Sequence, residues 1–132
     1  MSDFTGLIAI SSLMLAGIAV TIYVGDKANV VGTRIATGTA EGTSLSIGVR
    51  RAMLYQMWLP YEATYAVLAG VMMITQLELA GQVSSEGVKL LAQFCAFVAG
   101  VTTAFGLLLI PAGLLQYRAK LRRDQPRQGQ AG

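Results

Sequence analysis

Long runs without a charged residue are the feature that most constrains this chain. No charge occurs over residues 4–25 or 90–117, and Glu62 is the only charged residue over 52–77. A transmembrane helix needs about 20 consecutive and mostly apolar residues, so each run is long enough for one. The sequence therefore predicts an all-α integral membrane protein. Its single membrane domain, residues 1–132, contains three transmembrane helices at about 4–24, 58–79 and 91–116.

Two other interpretations of the first run fit the residues less well. A soluble amphipathic helix shows polar residues along one face, but residues 6–24 offer only Ser and Thr as polar side chains. A cleaved signal peptide has a basic start and a shorter apolar core, whereas Asp3 precedes this run. We therefore expect the first span to be retained as a membrane helix.

The positions of Lys and Arg predict the orientation of the spans. All basic residues except Lys89 lie in the segment 25–51 or in the tail 118–132. Cytoplasmic loops are enriched in Lys and Arg, so both segments are expected in the cytoplasm, with the N-terminus and the 80–89 turn outside. Three spans place both basic segments on one side. We expect the cytoplasmic (inner) membrane of a bacterium, and we interpret the net charge of +3 as this topology signal, not as nucleic-acid binding.

The two basic segments differ in their predicted structure. Residues 25–51 are rich in Gly, Thr and Ser, which predicts a cytoplasmic loop. That loop is either a flexible linker or a segment that a partner orders. The tail 118–132 is basic and then rich in Gln and Gly, so we expect it to be disordered after its first turns.

Aromatic and basic residues cluster before the second span, around Pro60. Either a short interfacial helix ends at Leu59, or one helix runs from about 51 to 79 with a kink near Pro60. Aromatic rings with a polar atom favour the membrane interface, and arginines just outside it reach the headgroups. The predicted interfacial anchors are Tyr55, Trp58, Tyr61, Arg50 and Arg51. On the tail, contact with headgroups or with a partner is expected for Arg118, Lys120, Arg122 and Arg123.

Glu62 is the one ionisable residue well inside a predicted span. In a helix that starts near Pro60 it lies in the first turn, close to water and favoured by the helix dipole. In a helix continuous from Arg51 it lies about 16 Å further along the axis, near the membrane midplane. A carboxyl group at that depth is a candidate proton or cation site.

Small residues form a stripe on the third span and recur on the second. Small side chains let helices approach closely in a membrane, where packing drives their association. The predicted helix-packing seam consists of Ala92, Ala96, Gly100, Ala104, Ala66 and Gly70. Whether this seam faces a helix of the same chain or of another chain is open at this stage.

The residues that most enzymes use are scarce in this chain. It has no histidine and one cysteine, which excludes Ser-His-Asp and Cys-His nucleophiles, His/Cys zinc sites and Cys-held iron–sulfur clusters formed by this chain alone. We expect no catalytic residue, no metal and no cofactor. The favoured hypothesis is a small accessory subunit of an energy-converting or transport complex, in contact with lipids and other membrane subunits.

Two alternatives remain open from the sequence. One is a homo-oligomeric channel or transporter that uses Glu62 as its proton or cation site. The other is a lipid- or quinone-contacting component of a membrane enzyme, for which the cluster Tyr61, Glu62 and Tyr65 is the candidate site.

Overall fold

The chain folds almost entirely into helices. A computed structural model describes the backbone of residues 2–131 and the side chains of residues 2–124. Two very short strands, β1 (Thr39–Ala40) and β2 (Thr43–Ser44), pair antiparallel as a hairpin. The helical elements are α1 (Asp3–Thr37), α2 (Ile47–Met53), a π-helical segment (Leu54–Trp58), α3 (Leu59–Gln82) and α4 (Glu86–Ala131).

Three helices are long and apolar enough to cross a membrane, as the sequence predicts. They are Asp3–Thr37, Ile47–Gln82 and Glu86–Asp124, of 35, 36 and 39 residues. At a rise of 1.5 Å per residue each is about 52–58 Å long, whereas the hydrocarbon core of a bilayer is about 30 Å thick. Each helix therefore has about 20 Å more length than a span requires.

The predicted loop at 25–51 is wrong over much of its length. Helix α1 continues without a break to Thr37, α2 begins at Ile47, and only residues 38–46 connect them. The Gly and Thr content that predicts a loop here has another cause. Gly32 lies against the Tyr117 hydroxyl, and Thr33 and Thr37 bond to carbonyls four residues back in the same helix. Tertiary packing thus overrides the low helix propensity of this segment.

Both ends of α1 carry ordinary capping signals. The Ser2 hydroxyl accepts a hydrogen bond from the Thr5 N–H at 3.1 Å, and Asp3 lies in the first turn. Gly38 ends the helix with φ 73°, and its N–H donates to the Arg34 carbonyl. Only glycine adopts this left-handed conformation without strain, which explains why the helix stops here.

A tight hairpin then reverses the chain into α2. Glu41 and Gly42, the two residues between β1 and β2, have φ values of 52° and 79°. Positive φ at both central positions is the pattern of the type I′ turn that closes two-residue hairpins. Helix α2 begins directly afterwards, because the Ser46 hydroxyl caps it by accepting from the Val49 N–H.

The helix around Pro60 is continuous, as one of the two sequence-based alternatives predicts. It runs from Ile47 to Gln82, and its irregularity is the π-helical segment Leu54–Trp58 rather than a break. Proline cannot donate to the residue four positions back, and its ring clashes with that carbonyl. The wider π turn lies immediately before Pro60, where the Leu59 N–H donates to the Leu54 carbonyl five residues back.

The three long helices form an antiparallel bundle. Helix α3 returns through residues 83–85 into α4, and α1 packs against this pair. Asp3 ties the start of α1 to that turn, because its carboxylate accepts hydrogen bonds from the Ser85 N–H and the Ser84 hydroxyl. The start of α1 and the α3–α4 turn therefore lie at one end of the bundle, and the β1–β2 hairpin lies at the other.

The tail is helical over its first turns, as the sequence predicts, and its backbone is also helical beyond them, where the sequence predicts disorder. Residues 118–124 continue α4 as helix, and the backbone is helical to Ala131. Leu121 is buried between the helices, which stabilises this continuation. The side chains of residues 125–132 lie outside the described part of the structure.

Substitution of Gly113 tests the closeness of this packing. A Cβ atom on Gly113 collides with the rigid six-membered ring of Trp58, whereas one on Gly81 meets nothing within 4 Å. We expect Gly113→Ala to destabilise the fold by about 1–3 kcal/mol through overpacking. The matched control Gly81→Ala is expected to be neutral or stabilising by up to about 1 kcal/mol. Thermal unfolding in detergent micelles measures both, and equal midpoints for the two variants would contradict the packing described.

Candidate functional site at the basic end of the bundle

The helices pack against each other beyond the level at which charged residues begin. We call residues 26–58 and 112–124 the basic extension, because most of the Lys and Arg residues of the described chain lie there. This extension has a hydrophobic cluster of its own, to which α1, α2, the π segment and α4 all contribute. Its buried members are Ala28, Val31, Ile35, Ile47, Leu54, Trp58 and Leu121.

Arg50 lies at the centre of the extension. Its side chain is only 4% exposed, and it comes from the last turn of α2. Its Nε and Nη2 atoms donate to the Ile35 carbonyl at 2.9 and 2.7 Å, and Nη1 pairs with Asp124 at 2.8 Å. The Ile35 carbonyl belongs to the last turn of α1, where carbonyls have no partner within the helix. One guanidinium group thus joins the ends of α1 and α2 to α4.

Gly38 makes room for this guanidinium group. A Cβ atom on Gly38 lies 3.3 Å from both Cζ and Nη1 of Arg50, closer than most side-chain contacts. Glycine is thus favoured at this position twice, by its positive φ and by the close approach of Arg50. The prediction that Arg50 anchors in the headgroups is therefore wrong, because its polar atoms are used inside the protein.

Trp58 lies about two helical turns after Arg50, on the π segment, and packs between α1 and α4. It is 4% exposed, its ring meets that of Tyr117 edge-on at 5.2 Å, and it lies directly over Gly113. The sequence predicts Trp58 as an interfacial anchor, but its indole is buried inside the protein, because the absent side chain at Gly113 leaves a pocket for it. Tyr55 is 43% exposed, Tyr61 packs partly against the cluster, and Arg51 is exposed.

The remaining predicted basic contacts lie on the outside of α4. Arg118, Lys120, Arg122 and Arg123 are all exposed. They point to more than one side of the helix, because successive residues are about 100° apart. A cavity lies between α4 and the π segment. Arg118, Leu121 and Arg122 line it from the α4 side.

Glu62 lies at the level where charge begins in α1. Tyr65, one turn further into the bundle, contacts Gly25, the last residue of the charge-free run of α1. Glu62 is therefore level with the charged residues that follow Gly25 and is half-buried. The helix is continuous past Arg51, and Glu62 lies level with the edge of the charge-free run of α1 rather than with its middle.

The predicted small-residue seam lies mostly inside the bundle. Ala92 and Ala96 on α4 and Ala66 on α3 are buried. Gly70 lies near Thr103 of α4. A Cβ atom added to Gly100 lies 3.0 Å from the Met73 sulfur of α3. Ala104 is exposed. Residues four apart are about 400° apart around a helix, so a stripe with this spacing turns by about 40° at each step. By Ala104 the stripe has turned away from the contact between α4 and α3. Burial instead continues through Ala99 to Gly106.

Gln76 is a buried residue that the sequence analysis does not single out. It is fully buried at the contact between α3 and α1, and its Nε2 donates to the Ile10 carbonyl at 3.2 Å. Its Oε1 accepts no hydrogen bond from the part of the chain that the structure describes. A glutamine near the end of an apolar run looks interfacial in sequence, and no signal in the sequence distinguishes it from one that ties two helices together.

Known proteins do not extend this description. No family model, no curated protein and no solved structure matches the chain.

Substitution of Arg50 tests the role assigned to it. Arg50→Met keeps the aliphatic bulk but removes both hydrogen bonds to the Ile35 carbonyl and the ion pair between Arg50 and Asp124. We therefore expect a loss of about 2–3 kcal/mol in the free energy of unfolding. The control Arg123→Met removes an exposed charge on α4 and is expected to change stability by less than about 0.5 kcal/mol. Thermal unfolding together with limited proteolysis of the 38–46 connection measures the effect. Equal stability of the two variants would show that Arg50 does not hold the extension together.

Proposed function

We propose that the chain is a small structural subunit of a larger membrane protein complex, of the energy-converting or transport kind. In this role it carries out no chemistry of its own and stabilises or positions partner subunits. The proposed orientation has the N-terminus outside and the basic extension in the cytoplasm, in the inner membrane of a bacterium. Lys and Arg at one end of the bundle, with Lys89 alone beyond the α3–α4 turn, support this orientation.

The folded basic extension is the observation that carries the proposal. A membrane anchor needs only the length of the bilayer, but all three helices continue about 20 Å further as one packed unit. The buried Arg50–Asp124 pair and the Trp58–Tyr117 contact hold that unit in one arrangement. A rigid platform at the membrane surface, with exposed cations, is a suitable docking element for another subunit.

The apolar surface of the helices supports the same proposal. Only 17%, 28% and 22% of the most apolar windows of the three helices are buried within the chain. Large side chains such as Leu15, Phe97 and Leu108 are about 70% exposed. Three helices thus offer far more apolar surface than they use for their own packing, and neighbouring helices of a complex or lipid acyl chains would cover it.

The position of Glu62 also favours a structural role over an ion pathway. A proton or cation site in a channel is expected deep within the apolar part, whereas Glu62 is level with the first charged residues after Gly25. At that height its carboxylate is close to the membrane surface in the proposed orientation, where a charge is inexpensive.

Single-cysteine cross-linking in cells of the source organism tests the proposal. Cys95 is buried, so it is first replaced by alanine, and a cysteine is then placed at Thr33 on the extension or at Ser84 on the opposite end, both exposed. With a maleimide–amine cross-linker, we expect Thr33→Cys to give an adduct with one defined membrane polypeptide, identified by its peptides. The Ser84→Cys control is expected to give much less of that adduct.

Two results would contradict this expectation. A chain that remains monomeric in mild detergent and gives no adduct from either position has no partner. An adduct of twice the mass of this chain from Thr33→Cys would show a homo-oligomer instead, which is the alternative that the sequence left open.

A further inference from the structure

A basic cavity opens on the surface of the extension, between α4 and the helix that precedes Pro60. Its volume is about 310 Å³. Its lining consists of Arg51, Leu54, Tyr55, Arg118, Leu121 and Arg122. Leu54 and Leu121 belong to the buried cluster and form its floor, while the three arginines and the tyrosine are exposed around it.

The spacing of these residues places polar side chains on two opposite sides of the cavity. Arg118 and Arg122 are four residues apart on α4, so they stand one turn apart on the same face. Arg51 and Tyr55 are likewise four residues apart on the facing helix, where the π turn begins. Two pairs of donors therefore face each other across an apolar floor, and the bundle holds both supporting helices in place.

The lining of the cavity is positively charged. None of the described lining residues is acidic. Asp124, the acidic residue on this part of α4, forms its ion pair with the buried Arg50. Arg118 and Arg122 carry like charges one helical turn apart, which repel each other, so an anion bound between them would reduce that repulsion.

Arginine and tyrosine side chains together favour one class of anion. The planar guanidinium group donates two parallel hydrogen bonds to phosphate oxygens, and a tyrosine hydroxyl adds a further donor. We propose that this cavity binds a phosphate group, with Arg118 and Arg122 as its principal donors and Arg51 and Tyr55 on the facing side. The phosphate is supplied by the headgroup of an anionic phospholipid or by free phosphate.

The location of the cavity favours the lipid as the source. Arg118 follows Tyr117, the last residue of the charge-free run of α4, so the donors begin where the apolar surface ends. A phospholipid whose acyl chains lie against the charge-free run of α4 places its phosphate beside Arg118, the cavity residue next to that run. This inference does not depend on whether the chain has a protein partner.

The full-length protein in detergent provides the test, with native mass spectrometry counting bound molecules. The probes are phosphatidylglycerol, phosphatidylcholine with the same acyl chains, and inorganic phosphate as competitor. We expect one phosphatidylglycerol to bind about tenfold more tightly than phosphatidylcholine, and Arg118→Gln combined with Arg122→Gln to abolish that preference. The matched control, Lys120→Gln with Arg123→Gln, removes the same charge from the same helix outside the cavity. It is expected to change the affinity by less than about twofold.

Each outcome of this comparison has a definite meaning. An equal loss of affinity in both double variants would overturn the proposal, because the attraction would then be diffuse. The absence of any preference for phosphatidylglycerol together with no binding of phosphate would overturn it too. Binding of inorganic phosphate without a lipid preference, lost only in the Arg118/Arg122 variant, supports the site and assigns it to free phosphate. Unfolding midpoints of the variants verify the fold, and Arg122→Gln alone repeats the test if the double variant is unstable.

Discussion

The buried guanidinium of Arg50 is the interaction on which the basic extension depends. Burying an arginine is unfavourable unless its donors are satisfied, and here they meet the Ile35 carbonyl and the Asp124 carboxylate. Because these two acceptors lie on α1 and α4 while Arg50 lies on α2, one side chain sets the relative positions of three helices. Gly38, which ends α1, leaves the space in which this contact forms.

The extension distinguishes this chain from one that consists only of three apolar helices of membrane-spanning length. Its apolar spans resemble a simple anchor, since most of their surface faces outward. Beyond the apolar spans, the Trp58–Tyr117 contact and the buried cluster around Leu121 keep the helices packed against one another. The donors on α4 and on the π-containing helix are thus held at a fixed separation. That rigidity is the shared basis of the two proposals, a docking platform for a partner and a cradle for a phosphate group.

The sequence predicts the number of apolar helices because charge-free runs of sufficient length are visible in one dimension. It does not predict how far the helices extend. Glycine and threonine in residues 25–37 are typical of a loop, but here Gly32 is required for close packing of α1 against Tyr117 of α4. The cluster of aromatic and basic residues before the second span likewise predicts Arg50 and Trp58 at the membrane interface, although both are buried in the fold. Arg50 is buried because it binds the Ile35 carbonyl and Asp124, and Trp58 is buried because it packs over Gly113. These partners are distant in sequence, so no local sequence pattern predicts the contacts.

Hydrogen exchange of the full-length protein in lipid nanodiscs tests the central claim most directly. The amides of residues 26–37 are the informative ones. In the proposed orientation, charged residues such as Lys27 and Arg34 would keep this segment out of the hydrocarbon core, so slow exchange there would reflect folding and not burial in lipid. A folded extension predicts slow exchange there, comparable to that of α3, because each amide is hydrogen-bonded within a packed helix. Exchange of these amides as fast as in an unstructured chain would contradict the account and would restore the loop that the sequence predicts.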